Sequence, residues 1–251
     1  MKTIGIIPAR YSSTRFPGKP LVDILGKSMI QRVYEKCLEA NTLHSVYVAT
    51  DDNRIFDHVH SFGGKAIMTQ HTHTNGTERC EEVLSKLNDS EIDLVINIQG
   101  DEPFISPTQI DLLTNLFYQY PETEIGTLIK KIDDYDTLIN PNVPKVVFTP
   151  QFDALYFSRN TIPYQRDFKK TNWLQNHHYF KHIGIYGYTS KTLREIVHLD
   201  ETPLELIEKL EQLRWLEKGY RIKVAETSHE TIGIDTPEDL VKVISRFKTE
   251  L

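Results

Sequence analysis

The sequence is poor in cysteine and has no long apolar run. Its 251 residues include only two cysteines, Cys37 and Cys80, and both fall on apolar faces of predicted helices. Buried free thiols are therefore predicted, rather than a disulfide or a metal pair. No segment approaches the apolar length that crosses a membrane, and the amino terminus lacks the pattern of a secretory leader. We therefore expect a cytoplasmic protein with no membrane partner.

Several motifs that identify nucleotide-binding proteins and hydrolases are also absent. The chain has neither the Gly-x-x-x-x-Gly-Lys-Ser/Thr motif of P-loop ATPases nor the Gly-x-Gly-x-x-Gly motif of dinucleotide-binding folds. It lacks the Gly-x-Ser-x-Gly motif of serine hydrolases. His71-x-His73 and His177-His178 do not have the helical i, i+4 spacing of the common zinc motif. These absences leave P-loop ATPases, simple dehydrogenases and serine hydrolases without support.

Positive charge is in the minority, yet it is concentrated in one loop. The 29 Lys and Arg against 35 Asp and Glu give a net charge of −6, which disfavours nucleic acid as a partner. Residues 4–20 nevertheless run from a short apolar strand into a loop that carries Arg10, Arg15 and Lys19. A basic loop on an acidic protein suits a small anionic ligand, although a solvated loop that serves only solubility is the alternative.

Strands and amphipathic helices alternate through the first half of the chain. Apolar strands are predicted near residues 4–7, 46–49, 66–68 and 94–98. Ser28 is predicted to cap the first helix, whose buried face is expected to include Leu38. This order predicts an α/β fold with a doubly wound, mostly parallel sheet. The ligand crevice of such a sheet lies beyond the carboxyl ends of its strands, where the basic loop is.

The pattern changes between about residues 124 and 188. Strand-like runs at 146–148, 154–157 and 182–186 are separated there by Pro, Asn and Asp. We predict a smaller mixed or antiparallel lid, embedded in a single domain of residues 1–251, because no Gly- or Ser-rich linker is present. Beyond it, a capping sequence at Thr202 predicts a helix that continues to about Leu216.

Two carboxylates are candidates for a metal site. Asp101 and Asp235 each follow an apolar strand at a turn. A carboxylate pair suits Mg²⁺ held against phosphate oxygens, and with the basic loop it predicts phosphoryl or nucleotidyl transfer. Taken singly, Asp101 is also typical of a turn and Asp235 of a helix cap. A glycoside hydrolase with paired acids is a further alternative, but it has no use for the basic loop.

A second group of residues predicts a site for a sugar acid. Arg159 and His182 are candidates for binding a carboxylate, and Arg offers a planar bidentate donor. Tyr186, Glu211 and Gln212 are candidates for sugar hydroxyls. The alternative is that Arg159 pairs with a surface acid and that His182 belongs to the core.

Together these motifs resemble the 3-deoxy-manno-octulosonate cytidylyltransferase family. The resemblance covers nearly the whole chain, and its carriers are residues 7–21, 49–51, 76–79, 97–103, 140–142, 156–159, 182–188, 210–214 and 235–239. It implies a nucleotide-diphosphosugar transferase-like fold and a cytoplasmic, Mg²⁺-dependent homodimer. Such an enzyme transfers CMP from CTP to the anomeric hydroxyl of 3-deoxy-D-manno-octulosonate (Kdo), with release of pyrophosphate, for lipopolysaccharide biosynthesis.

The resemblance also implies a role for each site residue. Metal is assigned to Asp101 and Asp235, which with Arg10 and Lys19 form the catalytic set. The residues that the resemblance assigns to CTP are Arg10, Lys19, Gly76 and Arg79. To these the basic loop adds Arg15 as a candidate for the pyrophosphate. Recognition of cytosine adds Pro8, Ala9 and Asn75, because backbone carbonyls at Pro8, Ala9 or residues 73–76 are candidate acceptors for the cytosine amine. The residues assigned to the sugar acid are Gln99, Arg159, His182, Tyr186, Glu211 and Gln212.

Two departures from the family pattern bear on these roles. Asn75 stands where Ser is usual, which affects base recognition, and Pro144 stands where an aliphatic residue is common. Two other functions are also weighed. One is a cytidylyltransferase for another acid sugar, such as neuraminate or an 8-amino analogue of Kdo. The other is a non-catalytic nucleotide-sugar binding protein, which would tolerate loss of a metal carboxylate, whereas both carboxylates are present.

Overall fold

The computed structural model describes residues 1–12, 16–230 and 233–247. It divides into two compact units: unit 1 comprises Met1–Thr114 with Thr231–Leu251, and unit 2 comprises Asn115–Glu230. The predicted lid at residues 124–188 lies within unit 2, and its assignment as a lid within one domain stays a prediction. None of the helices in the described part of the chain is long and apolar enough to cross a membrane.

Unit 1 is built from strands that alternate with helices. In chain order its elements are β1 (Lys2–Ala9), β2 (Asp23–Ile24), β3 (Lys27–Ser28), α1 (Met29–Leu38), β4 (Ser45–Thr50), α2 (Asn53–Ser61), β5 (Ala66–Met68), α3 (Gly76–Leu87), β6 (Ile92–Asn97), the start of α4 (Pro107–Gln119) and α10 (Pro237–Phe247). Strands β6, β1, β4 and β5 pair in that order, and all pairs are parallel. The prediction of an α/β fold with a mostly parallel sheet is confirmed.

Helix α1 confirms one local prediction and corrects another. The Ser28 side chain accepts a hydrogen bond from the Gln31 backbone N–H, as expected of an N-cap. Leu38 is 58% exposed, so its prediction as a buried residue is wrong. At 3.6 residues per turn, Leu38 is rotated by about 80° from Ile30 around the helix, whereas Cys37 remains on the buried face. Cys37 and Cys80 are buried free thiols, as predicted.

A small apolar cluster in unit 1 brings the carboxyl-terminal segment to the first loops of the chain. Ile24 and Met29 pack with Ile234 and Val243. The Asp101 backbone carbonyl accepts a hydrogen bond of 2.9 Å from the N–H of Ile234. These contacts place Asp235 beside the carboxyl end of β6, although the two segments are far apart in sequence.

Unit 2 has mixed strand pairing. Its elements after α4 are β7 (Ile125–Lys131), α5 (Tyr135–Ile139), β8 (Lys145–Phe148), β9 (Ala154–Ser158), α6 (Trp173–Asn176), β10 (Phe180–Thr189), α7 (Ser190–Ile196), α8 (Pro203–Glu208), α9 (Gln212–Glu217) and β11 (Ile222–Glu226). β11 is parallel to β7, whereas the pairs β7 with β10, β10 with β8 and β8 with β9 are antiparallel. The mixed pairing is confirmed, and β7 is a strand that the sequence pattern missed.

The predicted helix from Thr202 to Leu216 is two helices. Its start is as predicted, because the Glu205 carboxylate accepts a hydrogen bond from the Thr202 backbone N–H. However, α8 ends at Glu208, since Lys209 has a left-handed backbone with φ of 52°. Helix α9 then begins at Gln212. This break between the two helices sets the direction in which the side chains of Glu211 and Gln212 project from the backbone.

Candidate active site

Lys19 is at the centre of a small charged group in unit 1. It begins a short 3₁₀ helix, Lys19–Leu21, that follows Gly18, whose φ is 72°. The Lys19 Nζ lies 2.7 Å from Asp101 Oδ2 and 3.2 Å from Asp235 Oδ1. The side chain of Lys19 is only 13% exposed, whereas the two carboxylates are 30% and 47% exposed. The carboxylates of Asp101 and Asp235, which were predicted to act together, are thus close to each other, and the Lys19 ammonium contacts both.

This charged group opens into a cavity of about 430 Å³. Pro8, Ala9 and Arg10 line it from the end of β1, and Gln99 lines it from the residues that follow β6. The two strand ends approach so closely at Gly100 that an added Cβ would lie 2.7 Å from the carbonyl oxygen of Pro8. A side chain at that position would therefore displace the wall of the cavity.

The chemistry of the carboxylate pair fits a divalent cation. Carboxylate oxygens are hard ligands that Mg²⁺ accepts, and Mg²⁺ commonly uses one or two protein carboxylates with water and phosphate oxygens. No group of three or more His, Cys, Asp or Glu side chains suited to a metal is found among the described residues. A metal held by Asp101 and Asp235 would thus need oxygens from water or from a bound triphosphate.

Of the residues predicted for CTP, four line the cavity: Pro8, Ala9, Arg10 and Lys19. Arg10 is exposed, and Arg15 lies outside the described residues. Arg79 is 1% exposed, and its guanidinium forms an ion pair of 2.8 Å with Asp51 and a hydrogen bond of 2.8 Å to Thr69. Its contact with CTP stays a prediction, while the structure gives it a role in joining α3 to the end of β4.

Asn75 caps helix α3. Its side-chain Oδ1 accepts a hydrogen bond from the Glu78 backbone N–H at 2.9 Å, and its Nδ2 donates to the Glu78 carboxylate at 3.0 Å. Gly76 follows, and an added Cβ there would lie 3.3 Å from the Pro8 ring and 3.5 Å from the Asn97 amide. The amide that replaces the usual Ser is therefore engaged in the cap rather than turned toward a base.

Arg159 is held by backbone carbonyls in unit 2. Its Nε donates to the carbonyl of Glu208 at 2.6 Å, and its terminal nitrogens donate to the carbonyls of Pro141 and Lys209, each at 3.1 Å. The alternative of a pair between its guanidinium and a surface acid is not seen among the described residues. Three of its five N–H donors are thus used by backbone carbonyls, two at the end of α8 and one at Pro141. Its predicted contact with a substrate carboxylate stays a prediction.

His182 is a largely buried residue of strand β10. Its ring lies between those of Phe157 and Tyr186, with each centroid 5.2 Å away, and its Nε2 is 3.0 Å from the Thr127 hydroxyl. Burial lowers the pKa of His182 to about 3. The imidazole is consequently neutral at physiological pH, so it can hydrogen-bond to a sugar acid but cannot attract its carboxylate by charge. The backbone carbonyl of Pro144, the second departure, accepts a hydrogen bond of 2.9 Å from the His182 backbone N–H. A residue of any type could make this bond, so nothing in the structure explains the proline.

Tyr186 and Gln212 present unsatisfied polar atoms. The Tyr186 hydroxyl and the Gln212 Nε2 are buried and have no hydrogen-bond partner among the described residues. Burial, and then the charge of Glu211, raises the pKa of Tyr186 above its ordinary value. Since a buried polar atom without a partner is costly, a bound ligand with hydroxyl groups would supply what these atoms lack.

Comparison with known proteins gives a consistent result. A family model described as Cytidylyltransferase matches residues 4–224. The 3-deoxy-manno-octulosonate cytidylyltransferase of Parabacteroides distasonis is 54% identical over 249 residues, which cover 98% of this chain and 98% of that protein. The chain belongs to the 3-deoxy-manno-octulosonate cytidylyltransferase family. As a member of that family, it is a nucleotidyltransferase.

Two further comparisons support this membership. The cytidylyltransferase of the same name from Cytophaga hutchinsonii is 54% identical and covers 96% of this chain and 95% of its own. A solved structure of CMP:2-keto-3-deoxy-manno-octonic acid synthetase complexed with CTP superposes with a TM-score of 0.92, at 43% identity over the whole of both chains. The fold of this cytidylyltransferase family member therefore matches a structure that was solved with CTP.

Sequence reasoning missed two groups that support the site. Arg54, at the start of α2, stacks 3.3 Å from the ring centroid of Tyr11 and also pairs with Asp52. The carbonyl of Tyr11 accepts the Gly18 N–H at 2.9 Å, so this stack holds the base of the basic loop. Lys145 is the second, and its ammonium is buried in unit 2. Tyr11, an aromatic residue in the basic loop, could have indicated the stack with Arg54. Nothing in the sequence around Lys145 indicated that its ammonium would be buried.

Proposed function

We propose that the chain transfers CMP from CTP to the anomeric hydroxyl of Kdo, giving CMP-Kdo and pyrophosphate for lipopolysaccharide biosynthesis. The observation that carries this proposal is the convergence of Asp101 and Asp235 on Lys19 at a 430 Å³ cavity, in a member of the 3-deoxy-manno-octulosonate cytidylyltransferase family. Nucleotidyl transfer depends on positioning and on offsetting charge, and such a group of charges can do both.

Within the site, each group has a distinct task. Lys19 and Arg10 would offset the charge of the departing pyrophosphate, with Arg15 as a further candidate. Asp101 and Asp235 would hold Mg²⁺. When bound, the metal would polarise the α-phosphate and help to deprotonate the attacking hydroxyl. Lys19 would then exchange part of its contact with the carboxylates for contact with phosphate oxygens.

The sugar acid would be bound by residues of unit 2, and the role of Gln99 toward the sugar stays a separate prediction. The unsatisfied Tyr186 hydroxyl and Gln212 amide, with Glu211, suit sugar hydroxyls. Neutral His182 offers a hydrogen bond, and the two guanidinium N–H groups of Arg159 that do not donate to the carbonyls of Glu208, Lys209 and Pro141 would donate to the carboxylate. The names of the relatives favour Kdo over neuraminate or an 8-amino analogue.

The substrate assignment is tested by pyrophosphate release with purified enzyme. CTP, UTP, ATP and GTP are each supplied with Kdo, an 8-amino analogue of Kdo or neuraminate, in the presence and absence of Mg²⁺. We expect turnover with CTP and Kdo that disappears when the metal is chelated. A higher kcat/KM with neuraminate than with Kdo would make neuraminate the assigned substrate. Binding of CTP without any turnover would favour a non-catalytic protein.

The metal site is tested by removing one carboxylate at a time. Asp101→Asn and Asp235→Asn should each lower kcat by at least about a hundredfold, because charge that is offset in the transition state is lost. Calorimetry should also show weaker Mg²⁺ binding. Asp111→Asn is the matched control, since Asp111 accepts hydrogen bonds from Asn41 and Thr42 and does not line the cavity among the described residues. Near-normal turnover of both site variants at saturating Mg²⁺ would disprove the carboxylate site.

We also propose that the enzyme works in the cytoplasm as a homodimer. What supports a dimer is the distribution of exposed apolar side chains, which in the described residues are concentrated in unit 2, where Ile207 is 80% and Leu155 is 60% exposed. What supports the cytoplasm is the pair of buried free thiols, since a reduced state suits that compartment.

A further inference from the structure

Lys145 is a lysine whose ammonium is fully enclosed. It lies at the start of β8, the strand that pairs with both β9 and β10, and it is 0% exposed. Its Nζ donates to the carbonyls of Asn140 at 2.8 Å, Val143 at 2.7 Å and Arg159 at 2.7 Å. All three donors of the ammonium are therefore satisfied by backbone oxygens.

Such an arrangement is unusual for a buried lysine. A charge that leaves water needs a compensating partner, and a carboxylate is the common one. Lys145 forms no ion pair within 4 Å among the described residues, so its contacts serve the backbone. Burial lowers its pKa, while the more distant carboxylate of Glu208 acts in the opposite direction. The ammonium thus ties the turn at residues 140–143 to the residue that follows β9.

Arg159 continues this connection to the end of α8. While its own carbonyl is held by Lys145, its backbone N–H and the Ser158 hydroxyl both donate to the Glu208 carboxylate, at 2.9 Å and 2.6 Å. Its guanidinium donates to the carbonyls of Glu208 and Lys209. A cation at these last carbonyls satisfies the end of the helix and stabilises the left-handed turn at Lys209.

The turn at Lys209 in turn sets the start of α9. Three residues later, Gln212 begins that helix with its Nε2 buried and unsatisfied. Glu211 directly precedes Gln212 in the chain, and its charge adds to the effect of burial in raising the pKa of Tyr186. A shift of about 1 Å in this segment would misplace the groups that face the sugar.

We propose that Lys145 is a positioning residue for the acid sugar: it fixes Arg159 and the 140–143 turn, and through them the 208–212 segment that carries Glu211 and Gln212. This inference rests on the proposed function, because it takes the sugar to bind at those two residues. Lys145 itself touches no substrate, so its removal should act on the sugar and leave CTP unaffected.

The test compares Lys145→Met with Lys223→Met. Methionine keeps a long unbranched stem but has no donor. Lys223 is the matched control, because it is also in unit 2, its side chain is 8% exposed, and its Nζ contacts Asp153 and the Gln151 carbonyl. We expect Lys145→Met to raise the KM for Kdo by about tenfold to a hundredfold, with the KM for CTP within about twofold of the wild type. Lys223→Met should change neither KM.

A measurement without substrate separates this inference from the proposed function. Hydrogen exchange at the amides of residues 208–213 should become faster in Lys145→Met and remain unchanged in Lys223→Met. Ser158→Ala, which removes one hydrogen bond to Glu208, should give a smaller change of the same kind and decides the matter if Lys145→Met does not fold. An equal rise in both KM values, or exchange in this segment that matches the control, would overturn the positioning role. Failure of the wild type to use Kdo would instead contradict the proposed function.

Discussion

The residues predicted for the two ligands differ from one another in what their neighbours allow them to do. Lys19 is charged and lies between two carboxylates, so it is placed to exchange them for phosphate oxygens. The His182 imidazole could also carry a positive charge, but its burial beside Phe157 and Tyr186 keeps it neutral. Arg159 is charged, yet most of its donors are used by the backbone. The role of each residue follows from these contacts.

Base selectivity should not depend on Asn75. A pocket that accepts the cytosine amine places an acceptor there, and this acceptor would face a carbonyl oxygen in uracil, at a cost of about 2 kcal/mol or more. CTP should therefore be preferred over UTP by at least about thirtyfold in kcat/KM. Because the Asn75 amide is engaged with Glu78, and Ser is also a good N-cap, Asn75→Ser should leave this preference unchanged.

Kinetics with both nucleotides test this prediction. Asn75→Ala, which removes the cap, is the control for an effect on helix α3 alone and should lower stability by about 1 kcal/mol. A ratio of CTP to UTP efficiency that changes more than about fivefold in Asn75→Ser would show that the side chain reads the base.

His182 should make stability depend on pH in the mildly acidic range. Its folded pKa of about 3 is below the unfolded value of 6.5, so the unfolded state binds a proton that the folded state excludes. The free energy of unfolding therefore falls as the pH decreases from 6.5 toward 3, and the loss from this residue should reach about 1.4 kcal/mol at pH 5.5.

Urea unfolding between pH 7.5 and 5 measures this loss. His182→Gln should flatten the pH dependence by that amount, whatever its effect on stability at pH 7.5. His198→Gln, at an exposed position of the same unit, should keep the wild-type slope. Identical slopes for all three proteins would show that His182 becomes protonated in the folded state.

At the level of elements, buried charge holds short helices together. Arg214 in α9 donates to both carboxylate oxygens of Glu205 in α8, at 2.7 Å and 2.6 Å, and to the carbonyl of Leu199. Both side chains are about 10% exposed or less. The two helices have six residues each, too few to be stable by themselves in water, so the pair supplies a connection that helix propensity cannot.

Breaking this pair should be strongly destabilising. Glu205→Gln leaves the Arg214 guanidinium buried without its partner and should lower the free energy of unfolding by about 3–5 kcal/mol. Adding Arg214→Met should restore part of the loss, because the uncompensated charge is then removed. Glu39→Gln is the control: its exposed pair with Lys36 should contribute less than about 1 kcal/mol. Urea unfolding curves for the four proteins decide the matter, and equal losses for Glu205→Gln and Glu39→Gln would contradict it.

At the level of the whole molecule, the proposed homodimer predicts a definite mass and a sensitive position. Sedimentation should give about twice the 29.1 kDa chain mass. Ile207→Glu places a charge on the most exposed large apolar side chain of unit 2, and it should shift sedimentation toward the single chain.

Val241→Glu provides the comparison for this dimer prediction. Val241 is also exposed, at 64%, but it belongs to unit 1, so the substitution should leave the sedimentation unchanged. A wild-type protein that sediments as a single chain over the micromolar range would rule out the homodimer, and dissociation by Val241→Glu alone would place the interface on unit 1.

The alternation of apolar strands and amphipathic helices determined the class of fold by itself. Strands β1, β4, β5 and β6 were predicted because a buried parallel strand is apolar on both faces, which leaves a clear pattern in a short run of residues. The Ser28 cap and the start of α8 were also local signals. The motifs around Lys19, Asp101 and Asp235 likewise indicated the chemistry and the family.

Only the tertiary structure decided which candidate residues are charged and which have their hydrogen-bonding groups occupied by other parts of the protein. The sequence pattern predicts one continuous helix from Thr202 to about Leu216, but the left-handed turn at Lys209 divides it. This turn is stabilised by a hydrogen bond from Arg159, fifty residues earlier, which local sequence does not reveal. The neutrality of His182 and the enclosure of Lys145 depend on strands that pair at long range. Desolvation and hydrogen bonding to distant carbonyls leave no periodic signal in a sequence, because they arise when separate segments of the chain meet.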